Sequence, residues 1–149
     1  MERTFIHLNN GWNAEPNAPE PKVRVERQDI ILYFWLNFMI YSHITEGDRG
    51  FLRFKECERY RLGSTNDEGW HRGQCRYSKI APEWGEFYEI TGDDPLKFSP
   101  EDWIVLPEAA SGRRHFLFYF RDNTFECIAA DWHFEPTSEN ALFRLNFSK

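Results

Sequence analysis

A mainly β protein is what this sequence predicts: a single antiparallel β-barrel or β-sandwich domain with minor helix. Three observations carry that expectation. Aromatic residues make up 17% of the 149-residue chain, as fourteen Phe, six Trp and six Tyr, and such side chains suit the half-buried, pleated surface of a sheet. Short runs of strand composition are divided by clusters of Gly, Pro, Asn and Asp, the punctuation of a meander. The segment "HFLFYFRDNTFECIA", His115 to Ala129, alternates on both sides of a turn signal. The length is that of one domain, large enough to bury roughly 70% of its unfolded surface, and no repeat or composition break marks a second.

Along the chain, Thr4 to Leu8 predicts a short strand. The stretch that follows, "NNGWNAEPNAPEP", contains three prolines, so residues 1–21 are expected to form an N-terminal strap, anchored to the body by Trp12. "KVRVER" places Val23 and Val25 on one face of a half-buried strand. "DIILYFWLNFMIY" is apolar on both faces and predicts a central strand, with a buried helix as its rival, and "TEGDRG" supplies a turn. In "FLRFKECERYRL", Leu52 and Phe54 share a face that Tyr60 and Leu62 can join only if Glu56 and Glu58 also point inward. A β-bulge or a strand end near Glu56 resolves that conflict. Arg53, Lys55, Arg59 and Arg61 on the opposite side are expected to be a solvated basic stripe.

Ser64 to Gly73 reads as a loop outside the sheet, because Gly63, Asn66, Gly69 and Gly73 interrupt it. "QCRYSKI", "WGEFYEI" and "WIVLP" predict three further short strands. In the following hairpin, an Asp122-Asn123 turn sets Arg121 against Thr124, Phe120 against Phe125 and Phe118 against Cys127. Phe116, Phe118, Phe120, Phe125, Cys127 and Ala129 then form one apolar face, which a one-residue slip would destroy. The other face carries His115, Leu117, Tyr119, Arg121, Glu126 and Ile128, as a solvated exterior or as the lining of a pocket. Residues 136–149 form a C-terminal extension in which 139–147 reads equally as strand or capped helix.

Charge narrows the function classes. With 24 acidic against 18 basic side chains the net charge is −6, which disfavours nonspecific binding to nucleic acid and leaves a basic protein or a small ligand as the partner. The longest apolar run, Ile30 to Tyr41, is well short of the ~20 residues of a membrane-spanning helix. No secretory pattern precedes it, so a cytoplasmic protein is expected. Cys57, Cys75 and Cys127 are expected to be buried thiols, with a Cys57–Cys75 bridge as the alternative.

Motifs for chemistry are sparse. The five histidines show no HxxxH, HExxH or HxH spacing, the cysteines no CxxC, and the acidic loops no calcium pattern, so neither metal nor cofactor is expected. GxSxG and phosphate-cradling glycine loops are missing. Cys75 beside His71 fits a core thiol better than a nucleophile. Three loops nevertheless combine Trp with carboxylates, and Trp concentrates binding energy where it is exposed. The candidate binding residues are therefore Trp12, Asp67, Glu68, Trp70, His71, Trp84 and Glu86, together with the mixed hairpin face His115, Tyr119, Arg121 and Glu126.

The strings "GWNAEPNAPEP", "NDEGW", "WGEFYE" and "FRDNTFEC" resemble a group of short uncharacterised bacterial proteins, over about Phe5 to Glu135. That resemblance implies a bacterial, cytoplasmic protein and transfers no activity or site. The sequence thus leads to a non-enzymatic binding module, an acidic protein-binding protein of the antitoxin or immunity sort. A small-ligand-binding β-barrel and a small acid–base enzyme using Glu and His are the alternatives.

Overall fold

The computed structural model describes residues 3–63, 77, 83, 85–92, 103–106, 114–121 and 123–138, the last three by their backbone alone. Among these residues the strands are β1 (Thr4–His7), β2 (Lys22–Glu26), β3 (Asp29–Trp35), β4 (Asp48–Lys55), β5 (Arg59–Gly63), β6 (Phe87–Thr91), β7 (Ile104–Val105), β8 (Arg114–Tyr119), β9 (Thr124–Ala129) and β10 (Asp131–Ser138). They form two antiparallel sheets, β1-β6-β8-β9-β5-β7 and β10-β4-β3-β2, packed as a sandwich, and no helix occurs among the described residues.

The core lies between the sheets. Alternation along β3 and β4 turns Ile30, Leu32, Phe34, Leu52 and Phe54 inward. There they meet Phe116, Phe118, Phe125 and Cys127 of β8 and β9, all fully buried. Phe34 and Phe118 cross edge to face at 5.2 Å, and Phe54 lies 5.2 Å from Phe116. The strap is held as expected: Trp12 stacks on Phe134 at 3.8 Å with the rings 4° from parallel. Ala14 then bridges to Leu36, and the Trp35 amide donates to the Pro19 carbonyl.

A corner of paired strands joins the sheets. Lys55 pairs with Asp131 on one side of it and Arg59 with Ile128 on the other, so residues 56 to 58 face only residues 129 and 130. The extra residue is a bulge at the place where the hydrophobic phase of the sequence breaks. Glu56 takes φ +49 there, and its amide is capped by Asp29 Oδ1 at 3.0 Å. Asp29 and Glu26 also hold Arg53. The basic stripe is thereby divided: Arg53 lies on the four-stranded sheet and Arg59 and Arg61 on the six-stranded one. Arg61 is largely buried rather than solvated, with a side chain 15% exposed, because it reaches a carboxylate.

Three further expectations are corrected. The hairpin pairs Tyr119 with Thr124, Phe118 with Phe125 and Phe116 with Cys127, and the Phe120 amide donates to the Asn123 carbonyl at 2.8 Å. The turn is therefore centred one residue earlier than Asp122-Asn123, and every pair is offset by two. Burial fixes only the parity of a strand, so an offset of two keeps the same inward face. The run Ile30–Tyr41 is not one strand. β3 ends at Trp35, and Asn37 Oδ1 accepts from the Met39 amide to start a turn. Tyr77, the described residue of "QCRYSKI", has φ +63 in a turn, not in a strand. Residues 139–147 and the other positions of the 64–82 segment lie outside the described residues.

Cys57 and Cys127 are buried free thiols, and Cys57 Sγ donates to the Arg59 carbonyl at 3.3 Å.

Gly50, in the middle of β4, is required by its neighbours. A Cβ there would lie 2.9 Å from Phe134, 3.0 Å from Leu36 and 3.1 Å from Phe34. Gly50→Ala is expected to destabilise the protein by about 1 to 3 kcal/mol, as overpacking does. An unchanged urea midpoint would show that the aromatic rings can yield.

Candidate functional site

The outer face of the six-stranded sheet is not bare. His115, Leu117, Tyr119, Thr124, Glu126 and Ile128 are all buried, beneath a layer that includes Tyr77 and Trp103. The Tyr77 and Trp103 rings stand 5.9 Å and 6.3 Å from His115, and Phe5 packs on Tyr77 at 5.8 Å. Inside this layer Glu126, fully buried, accepts from Arg61 Nη1 at 2.8 Å and lies 2.8 Å from His115 Nε2.

That geometry follows from the register. His115 opposes Ile128 and Arg61 opposes Glu126, so His115 and Glu126 are diagonal neighbours on one face, within reach of long side chains. The Arg61 guanidinium supplies the opposite charge that a buried carboxylate needs. A carboxylate accepts only, so the 2.8 Å contact is a hydrogen bond in the form of His115 that carries a proton on Nε2. Both carboxylate oxygens are engaged, and His115 and Glu126 are 2% and 0% exposed. The cluster fastens β5, β8 and β9 together and presents no free acid or base to solvent. The sequence places His115 and Glu126 on one mixed hairpin face, but the expected register, two residues away from the actual one, sets them too far apart to touch, and Arg61 is expected in the solvated stripe.

Glu86, Tyr119 and Arg121 come together elsewhere, at the hairpin tip. With Asn13, Glu15 and Gly85 they line a cleft of about 180 Å³. Glu86 accepts from Asn9 Nδ2 at 2.7 Å and has His7 Nε2 at 3.6 Å. Asn9, itself buried, also accepts from the Phe87 amide and donates to the Trp12 carbonyl. Arg121 is exposed and reaches Asn17 at 3.5 Å. Trp12 belongs to the core. The candidates Asp67, Glu68, Trp70, His71 and Trp84 lie outside the described residues.

A wider cleft was not anticipated. It measures about 380 Å³ and is lined by Glu15, Trp35, Leu36, Phe38, Glu46 and Gly47, between the strap and the β3–β4 connection. The two residues that follow its Phe38 in the chain, Met39 and Ile40, stand in solvent, 52% and 65% exposed. Assigning Ile30–Tyr41 to a buried strand concealed this surface, and Asn37, the one polar interruption of the run, was the signal that the strand had ended.

Among the described residues, no group of three His, Cys, Asp or Glu side chains could hold a metal ion, and no helix is long and apolar enough to cross a membrane. No protein-family model, curated protein or solved structure matches the chain.

Replacing Glu126 by Gln keeps the shape and removes the charge that compensates Arg61. The expected loss is about 3 to 5 kcal/mol, as for other broken buried pairs. Adding Arg61→Met should return part of it, giving a non-additive double-mutant cycle in urea unfolding. Additive losses would show that the two side chains are not coupled.

Alkaline pH tests a second buried group. Burial pushes the Tyr88 phenol up from 10.0 to about 12, because the phenolate would be desolvated. Its hydroxyl also accepts from the Glu83 amide at 3.0 Å and donates to the Glu83 carbonyl at 3.2 Å. Since the folded value is the higher one, Tyr88's contribution is complete below about pH 10 and is lost as pH rises towards 12. Over that interval its share of the decline is about 1.4 kcal/mol per pH unit. Tyr88→Phe should make the alkaline decline of stability shallower than in the unaltered protein, and an identical slope would rule this contribution out.

Proposed function

We propose that the chain is a non-enzymatic, protein-binding module of the bacterial cytoplasm, acting through the end of the sandwich formed by the strap and the β3–β4 connection. The carrying observation is the pair Met39 and Ile40, 52% and 65% exposed, beside a cleft edged by carboxylates. Exposed apolar side chains next to a polar rim are the composition of a contact surface. The space between the sheets is filled by Phe34, Phe54, Phe87, Phe116, Phe118 and Phe125, each fully buried, which favours a protein partner over a small ligand held between the sheets. The net charge of −6 suits a basic partner and would speed its encounter at low salt.

A photo-crosslinking residue in place of Ile40 tests the reading in cells of the source organism. The control is the same residue at Val25, 45% exposed at the other end of the four-stranded sheet. A discrete adduct is expected from position 40, absent from position 25, and lost when Met39→Glu is added. The same set of products from both positions, or none from position 40, would refute it.

A further inference from the structure

We infer that the cleft beside Met39 and Ile40 is a recognition site for a lysine side chain presented by the partner protein. This deepens the binding-module reading and rests on it for the source of the lysine. The cleft is about 380 Å³, within the size range of sites that enclose a small group. Its walls combine the rings of Trp35 and Phe38 with the acids Glu15 and Glu46. An aromatic face attracts a cation through its quadrupole, Trp most strongly, and a carboxylate beside it supplies charge and a hydrogen-bond acceptor for the ammonium.

The charges around the cleft favour such an occupant. Glu46 is exposed at the rim. Glu15 is fixed by the strap, its carboxylate accepting the amides of Asn17 and Ala18 at 3.0 and 2.5 Å. Glu20 accepts the Trp35 indole N–H at 2.9 Å and so sets the plane of the ring. One cation is already present: the Arg49 guanidinium stacks over Trp35 at 3.6 Å. Among the described residues that line the cleft or touch the Trp35 ring, three carboxylates, Glu15, Glu20 and Glu46, face this one guanidinium. The stacked arginine also shows that this ring accepts a cation in the fold itself. Lysine suits the cleft because its alkyl stem can lie along the half-buried Phe38 while the ammonium meets Glu46.

The test uses the full, ¹⁵N-labelled chain and Nα-acetyl-lysine N-methylamide as the probe, with its Nε-acetylated form as the neutral counterpart. Saturable shifts are expected at the Trp35 indole N–H and the Gly47 amide with the charged probe, and none with the neutral one. Trp35→Leu should weaken the response about tenfold. Glu46→Gln, at an exposed position that leaves the fold intact, should weaken it measurably and increase its tolerance to salt. Equal shifts from the neutral probe, or an unaltered response in Glu46→Gln, would overturn the site. Choline binding about tenfold tighter than the lysine probe would replace the lysine by a free quaternary amine. Lysine binding with no adduct from position 40 would leave the cleft and remove the protein partner. An adduct from position 40 with no lysine response would do the reverse.

Discussion

One bent pair of strands sets the geometry of the molecule. β4 and β5 run antiparallel to β10 and β9 across both sheets, and the bulge at Glu56 is where the pair turns from one sheet into the other. Without the extra residue, the inward phase of Leu52 and Phe54 would continue through Glu56 and Glu58 and bring carboxylates into an aromatic core. With it, Tyr60 and Leu62 join that core and the glutamates stay at the corner. Asp29 capping the Glu56 amide and the Cys57 amide donating to the Gln28 carbonyl tie the corner to the β2–β3 turn.

From that corner the two faces of the six-stranded sheet acquire different chemistry. The inner face is aromatic and needs no partner beyond the opposing sheet. The outer face carries His115, Glu126 and Arg61, charged or polar groups that low dielectric would penalise severely if any stood alone. They are tolerated because the register brings all three within 2.8 Å contacts. Such a triad specifies one register rather than adding much net stability, since a two-residue slip of β8 against β9 would preserve the aromatic face but carry His115 away from the buried Glu126. The choice between the two parity-equivalent hairpins thus rests on polar groups, not on the hydrophobic pattern.

The surface features lie at the ends of strands, where the constraints of the sheet relax. The β3–β4 connection turns after Leu36: Phe38 and Tyr41 pack against the core and Met39 and Ile40 stand outward, while the strap, pinned by Trp12, brings Glu15 and Glu20 to the same edge. The sandwich thus presents an aromatic and acidic edge at this end. The buried pair His115 and Glu126, expected as part of a mixed hairpin face that could line a pocket, is instead engaged in holding three strands together.

What the sequence by itself determined was parity and composition: an all-β fold among the described residues, the aromatic face of the hairpin, the strap anchored by Trp12, and a break in phase at Glu56. Each follows from a local rule, period two along a strand or the backbone preference of Pro and Gly, that needs no knowledge of the neighbours. Only the tertiary structure decided the hairpin register and the burial of Arg61, while the end of β3 at Trp35 had Asn37 as its one mark in the sequence. Apolar runs such as Ile30–Tyr41 look alike whether they stay in the core or leave it, and a basic stripe looks solvated until a carboxylate from another strand is placed opposite it. Those outcomes depend on pairings across 65 residues of chain, as between Arg61 and Glu126, and no local pattern encodes a partner at that distance.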